Sequence, residues 1–166
     1  MQLIKPTLKH FERMAELIYS RRLLHEWAGP TVGYPFTADT LMSDFKVPER
    51  LSFSLVDSQQ RFVAFGQCYE RLGRCHLGRL FVDPVFRGKT YEGKRVIAHL
   101  IDGISVEGCA AYKSDLCSLF VLKNNQAAIK AYHNIGFELS DYPLGTPFAS
   151  CLYMTRLFEH GCWLVG

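Results

Sequence analysis

The chain has little of anything that would announce a membrane, a secretory route or a polymeric partner. Its 166 residues hold no uninterrupted apolar stretch long enough to cross a bilayer, and the N-terminus MQLIKPTLKH lacks the apolar core of a secretory leader. We therefore expect a cytoplasmic protein with no membrane partner. Neither sign of charge dominates: 19 Lys and Arg against 16 Asp and Glu leave +3 without a basic run, so nucleic acid is not an expected partner. Linkers, internal repeats and low-complexity tracts are missing. Six cysteines occur, at 68, 75, 109, 117, 151 and 162, but none forms a C-x-x-C pair or the Cys/His spacing of a zinc site. Several lie in apolar runs such as FGQCYE and DLCSLFV, where a free thiol behaves as a small hydrophobe. A reducing compartment and no metal are the expectations that follow.

What is present reads as one domain over residues 1–166, 48% hydrophobic and so able to bury a proper core. QLIK before Pro6 is a short strand. Thr7 can cap a helix with Leu8, Phe11, Ala15 and Ile18 on one face. HEWAGPTVGYPF reads as loop, and a short helix near Thr40–Phe45 is stopped by Pro48. LSFSLV, RFVAFGQCYE and CHLGRLFV, separated by DSQQ and RLGR, predict an antiparallel meander. Val96, Ile97, Leu100, Ile101 and Ile104 then form a helical stripe ending near Glu107-Gly108. DLCSLFV is a buried strand, NNQAAIKAYHNIG a capped helix closed by Gly136, and FEL and CLYMTRLF are strands. The expected class is α/β, a mixed central sheet of about seven strands flanked by about four helices, with parallel neighbours only across helical crossovers.

Gly88-Lys89-Thr90 ends like a phosphate-binding P-loop, but the required first glycine would fall at Asp83, beside Pro84. A carboxylate repels phosphate there and proline offers no N–H donor, which excludes nucleotide hydrolysis of that type. The same stretch, Val82, Pro84, Arg87 and Gly88 between a strand and a helix, resembles the acetyl-CoA loop of the GNAT superfamily of N-acetyltransferases. A helix N-terminus with unpaired N–H groups suits a pyrophosphate. Where that pattern continues Gly-x-Gly, this chain has Thr90, Tyr91, Glu92 and Gly93, one residue too many, so a wider loop is expected. In VLKNNQAAIKAYHNIGF, the residues Asn125, Ala128, Tyr132, Gly136 and Phe137 resemble the second half of the superfamily signature. As plain structure they read as an N-cap, a close-packed helix former, a core aromatic, a helix stop and a core strand residue.

The resemblance implies an acetyltransferase that uses acetyl-CoA as co-substrate, with direct attack by a primary amine on the thioester. Leu80, Phe81 and Val82 would pair with the pantetheine arm. Arg87, Gly88, Lys89, Thr90, Tyr91, Glu92, Gly93 and Lys94, together with Asn125, Ala128 and Tyr132, would complete the cofactor site. Tyr132 would protonate the leaving thiolate, since a phenol of pKa about 10 stays protonated at neutral pH. His76, on the face of its strand shared with residues 78, 80 and 82, is a candidate base with a pKa expected near 6.5, and Glu70 is the runner-up, though it also reads as a turn carboxylate. His10, His25, His99, His133 and His160 are expected at the surface. Trp27, Tyr34, Phe36 and Phe45 are read as core or as the lining of an apolar acceptor pocket. The acceptor, a small-molecule or peptide amine, has no readable code; whether the chain forms a homodimer stays open. The alternative is a GNAT-fold sensor that binds CoA or an acyl-CoA without turnover.

Overall fold

The computed structural model describes residues 1–145 and 148–158, so His160 and Cys162 lie outside the described residues. The elements run β1 (Gln2–Ile4), α1 (Leu8–Leu17), α2 (Arg21–Ala28), α3 (Ala38–Asp44), β2 (Leu51–Val56), β3 (Phe62–Arg71), β4 (Arg74–Val82), β5 (Thr90–Tyr91), β6 (Lys94–Arg95), α4 (Val96–Tyr112), β7 (Leu116–Leu122), α5 (Gln126–Asn134), β8 (Glu138–Leu139) and β9 (Cys151–Leu157). Seven strands form a mixed sheet in the order β1-β2-β3-β4-β7-β9-β8, while β5 and β6 make a separate ribbon. The expected class and strand number hold, with five helices in place of four. Among the described residues, no helix is long and apolar enough to cross a membrane. Two compact units can be distinguished, Met1–Cys68 with Gly78–Ile104, and Tyr69–Leu77 with the chain from Ser105 onward.

In the first unit, α1 starts where Thr7 donates its N–H to His10 Nδ1 at 3.2 Å, a side chain one turn on reaching back to the cap residue. The His10 ring is buried against Phe62, not at the surface as expected, and burial lowers its pKa. The helix α2 corrects the loop reading of HEWA. Ser20 Oγ accepts from Leu23 N at 3.3 Å to start it, and Gly29, at φ +89°, ends it only after Ala28. These helices deliver Phe11, Met14, Leu24, Leu41 and Phe45 onto Phe65 of β3 and Phe81 of β4. Each large side chain buried in this way contributes about 1.5–3 kcal/mol. Phe45 is inside that core and Trp27, Tyr34 and Phe36 pack on it, so the aromatic cluster is core and not an open pocket. A Cβ added at Gly66 of β3 would lie 2.5 Å from Ile104 Cδ1 and 2.9 Å from Leu80 Cδ2. Glycine is thus what lets α4 seat closely over that strand.

In the second unit, β4 and β7 run parallel with Cys75 opposite Cys117, His76 opposite Ser118 and Leu77 opposite Leu119. A parallel pair needs a long crossover, which α4 supplies; it continues to Tyr112, past the expected end near Gly108. The second crossover, through α5, does not give parallel neighbours as expected. Instead β9 lies antiparallel along all of β7, from Leu116 opposite Leu157 to Leu122 opposite Cys151, and β8 pairs outside it. Seven residues of β9 match the length of β7 where β8 offers two, so the longer ladder takes the inner place. Cys75, Cys109 and Cys117 are buried together as thiols outside any disulfide. Burial pushes Cys109 up to about 12, and a hydrogen bond with Cys75 together with burial raises Cys117, so both stay protonated.

Candidate active site

The register between β4 and β7 ends at Leu77 and Leu119, although both strands continue. The cause is local. Arg79, in the interior of β4, has φ +51°, a left-handed conformation that side-chain-bearing residues seldom adopt and that bends a strand as a bulge does. A network within the first unit holds it there. Arg79 Nη1 donates to Gln67 Oε1 at 2.7 Å, and its guanidinium lies 4.4 Å from the centre of the Phe45 ring. The buried Gln67 amide in turn donates to Ser52 Oγ at 2.7 Å and to the Phe45 carbonyl at 3.0 Å. A fully hydrogen-bonded buried amide is a rigid anchor, since breaking it strands several polar groups at about 1–3 kcal/mol each. Arg79 and Gln67 were missed from sequence; the available signal was the lone Gly78 inside a strand pattern.

Beyond the bulge, Phe81 is buried against Trp27 and Phe62 at ring separations of 5.1 and 6.4 Å, whereas Leu80 and Val82 are half-buried. Asp83 is 2% exposed and bound to Arg13 Nε and to Val85 N, both at 3.0 Å. This carboxylate therefore closes the strand end structurally, in agreement with the absence of a P-loop. Pro84–Phe86 form a 3-10 turn, and Arg87 Nε donates to the Val82 carbonyl at 3.0 Å.

The expected helix directly after Arg87-Gly88 is not found. Thr90 and Tyr91 pair with Arg95 and Lys94 in a small hairpin. Its two turn residues, Glu92 and Gly93, have φ +50° and +77°, the signs that a tight right-twisting hairpin needs. The Val96 N–H donates to the Lys89 carbonyl at 3.1 Å and closes the hairpin base, and α4 begins there. The extra residue seen in sequence thus becomes the β5–β6 ribbon. Lys94 is ion-paired with Asp102, and His99 Nε2 donates to the Tyr91 carbonyl at 2.8 Å, so His99 is a bonded group and not a free surface residue.

In the second unit, Asn125 Oδ1 accepts from Ala128 N at 3.1 Å and caps α5 as expected. Tyr132 follows on that helix, half-buried beside Phe137 at 6.3 Å, and Gly136 ends the turn at φ +95°. Burial pushes the Tyr132 phenol up to about 12, so it keeps its proton throughout the physiological range. Glu70 accepts from Gly73 N at 2.5 Å, which makes it the turn carboxylate of the β3–β4 hairpin.

His76 departs from expectation. It is 2% exposed, shares a 2.9 Å hydrogen bond between Nδ1 and Ser118 Oγ, and lies among Tyr69, Phe120 and Tyr153. Burial, with the positive charge of Arg71, lowers its pKa to about 3, and the near-neutral titration expected from sequence is corrected accordingly. At pH 7 it is a neutral ring.

The sequence model of the acetyltransferase (GNAT) family matches residues 16–137. The chain belongs to the GNAT acetyltransferase family. Solved GNAT structures carry the same fold at low identity. The PaiA N-acetyltransferase of Thermoplasma acidophilum, in complex with coenzyme A, is 16% identical with a TM-score of 0.64, over 95% of this chain and 98% of that one. A spermidine N-acetyltransferase SpeG of Vibrio cholerae is 14% identical with a TM-score of 0.66, over 95% of both chains. A GNAT-family acetyltransferase of Staphylococcus aureus Mu50 is 15% identical with a TM-score of 0.64, over 95% and 99%. No curated protein matches by sequence. This GNAT chain is an acyltransferase, and both sequence blocks that resembled the family, Val82 to Gly88 and Asn125 to Phe137, fall within the matched residues.

Proposed function

We propose that the chain, one acetyltransferase domain over residues 1–166, transfers an acetyl group from acetyl-CoA to a primary amine by direct attack on the thioester. The observation that carries this reading is the bend at Arg79. It takes Leu80–Val82 out of the β4–β7 register, and the backbone beyond a terminated ladder suits pairing with the extended pantetheine arm. Arg87, Gly88, Lys89 and the β5–β6 ribbon up to Lys94 would meet the pyrophosphate, with Arg87 and Lys89 as the exposed charges. Asn125 and Ala128 would hold the start of α5 for the cofactor. Tyr132 is the proton donor to the departing thiolate. Its hydroxyl has no hydrogen-bonding protein partner among the described residues, and burial keeps it protonated, so that it can donate to the thiolate that forms as the C–S bond breaks.

A ring with a pKa of about 3 cannot draw a proton from an alkylammonium of pKa about 10 without a penalty near 9 kcal/mol. His76 is therefore read as a packing residue whose orientation Ser118 fixes, Glu70 remains in its turn, and the amine loses its proton to solvent before attack.

The test is a screen of polyamines, amino acids, aminoglycosides and lysine peptides for acetyl-CoA-dependent release of free thiol. Polyamines come first because a spermidine acetyltransferase shares the fold. At least one amine should give steady thiol release with one acetylated product per thiol. Tight CoA binding with no release from any amine would contradict the reading and favour the sensor, in which the β5–β6 ribbon serves retention alone.

A further inference from the structure

Three thiols meet in the second unit, none of them given a part in acetyl transfer above, with Cys75 and Cys117 next in sequence to His76 and Ser118. Cys75 comes from β4, Cys117 from its register partner in β7, and Cys109 from the last turns of α4. Cys109 Sγ and Cys117 Sγ lie 3.4 Å apart, and all three sulfurs lie within 4.8 Å of one another. The three side chains are fully buried. Two further groups border them: Ser105 hydrogen-bonds Cys117, and Arg156 Nη2 donates to Ser105 Oγ at 3.3 Å. Arg156 is itself fixed, through Nη1 to the Ile135 carbonyl at 3.1 Å and over the Phe137 ring at 5.2 Å.

We propose that Cys75, Cys109 and Cys117 form a binding site for one soft monovalent cation, Cu(I), in three-coordinate sulfur. The spacing carries the proposal. Metal–sulfur bonds of about 2.3 Å in a trigonal plane put the sulfurs about 4 Å apart, so the observed spacing admits the ion without moving the backbone. Donor chemistry selects the metal. Thiolates prefer Cu(I), whereas a structural zinc takes four ligands and a catalytic zinc three plus a water. Among the described residues no fourth His, Cys, Asp or Glu joins the group, and burial leaves no wet fourth position.

Charge also balances. Cu⁺ entering between the thiols sends two S–H protons to solvent and accepts electron pairs from two thiolates and one remaining thiol. No oxidant or reductant is involved. The resulting −1 centre is offset by the Arg156 guanidinium, with the Ser105 hydroxyl donating to sulfur. Because the ligands come from two strands and a helix, the ion would pin the end of α4 to the sheet and is best loaded as the chain folds. The site is independent of the acetyl-transfer reading.

The test titrates reduced, full-length protein anaerobically with Cu(I) in competition with bicinchoninate. One equivalent should be withheld from the chelator, with a near-ultraviolet sulfur-to-copper band and a higher melting temperature. A triple variant with Cys68→Ala, Cys151→Ala and Cys162→Ala should keep that equivalent, while Cys75→Ala or Cys109→Ala should weaken retention at least a hundredfold. Wild-type protein that withholds no copper overturns the proposal without recourse to any variant. It is equally overturned if Cys109→Ala binds as tightly as wild type, or if Zn(II) displaces Cu(I) at equal concentration.

Discussion

Over Arg74–Leu77, β4 is an ordinary interior strand with a regular parallel register to β7 and a neutral, buried histidine among aromatic rings. Over Gly78–Val82, the same strand carries a left-handed arginine, leaves that register and ends in a buried carboxylate. The first half is held in register by β7; the second is shaped by one amide, Gln67, on the opposite neighbour β3. The contrast teaches that one strained position can divide a nine-residue strand into a packed half and a half released from the parallel ladder, the half proposed above to bind the ligand.

If the second half presents a thioester, the largest effect should come from the group that acts only while the bond breaks. Tyr132→Phe removes one oxygen and keeps the ring beside Phe137, so stability should change by about 1 kcal/mol or less. Turnover should fall about 10²- to 10⁴-fold with acetyl-CoA affinity nearly unchanged, as steady-state kinetics and calorimetry would show. Equal turnover in the two forms would remove Tyr132 from the chemistry.

Removing the separator should blur the two halves. Gln67→Leu takes away the hydrogen bonds to Ser52, the Phe45 carbonyl and Arg79, and should lower stability by about 2–4 kcal/mol in denaturant titrations. Acetyl-CoA affinity of the folded fraction should fall as well. Affinity at the wild-type value would show that the bend does not depend on Gln67.

The parts of this design readable from sequence were those fixed by local pattern. Phe11 and Ile18 of the expected stripe, the meander around DSQQ and RLGR, and the Asn125-to-Gly136 helix all follow from spacing and capping, whereas Leu8 of that stripe is exposed and Met14 is buried beside Phe11. What was hidden depends on residues distant in the chain. Arg79 gives no warning in its own identity, because Gln67 and Phe45 hold its conformation. The β5 and β6 strands are too short for alternation to register. Strand β9 takes the place beside β7 only because β8 is short. The burial of His76 is set by Tyr69, Phe120 and Tyr153 from three other strands or strand ends, and Cys75, Cys109 and Cys117 meet through the β4–β7 register and the return of α4. In α2 the local signal exists, since Ser20 and Gly29 bracket it, but Gly29-Pro30 in a Gly-, Pro- and aromatic-rich stretch also reads as loop.

The packing half has its own, smaller signature in pH. His76 titrates at about 3 in the folded chain and near 6.5 when unfolded, so between those values the unfolded state binds more protons. Its contribution is complete above about pH 6.5 and is lost as pH falls toward 3, at up to about 1.4 kcal/mol per unit. From pH 7 to 5 that is about 2 kcal/mol, with the buried His10 acting in the same direction. His76→Gln, which can still bond Ser118, should flatten this dependence in denaturation midpoints measured at pH 7, 6 and 5. The wild-type rate profile should show no ionisation assignable to His76 near neutrality.

The central claim, that the second half of β4 is the ligand edge, is tested most directly by amide hydrogen exchange on the whole protein with and without saturating CoA. At least one amide among Leu80, Phe81 and Val82 should slow tenfold or more when CoA binds, while those of Cys75, His76 and Leu77 keep their rates. Bound CoA, verified by calorimetry, with no change at residues 80–82 would contradict the claim.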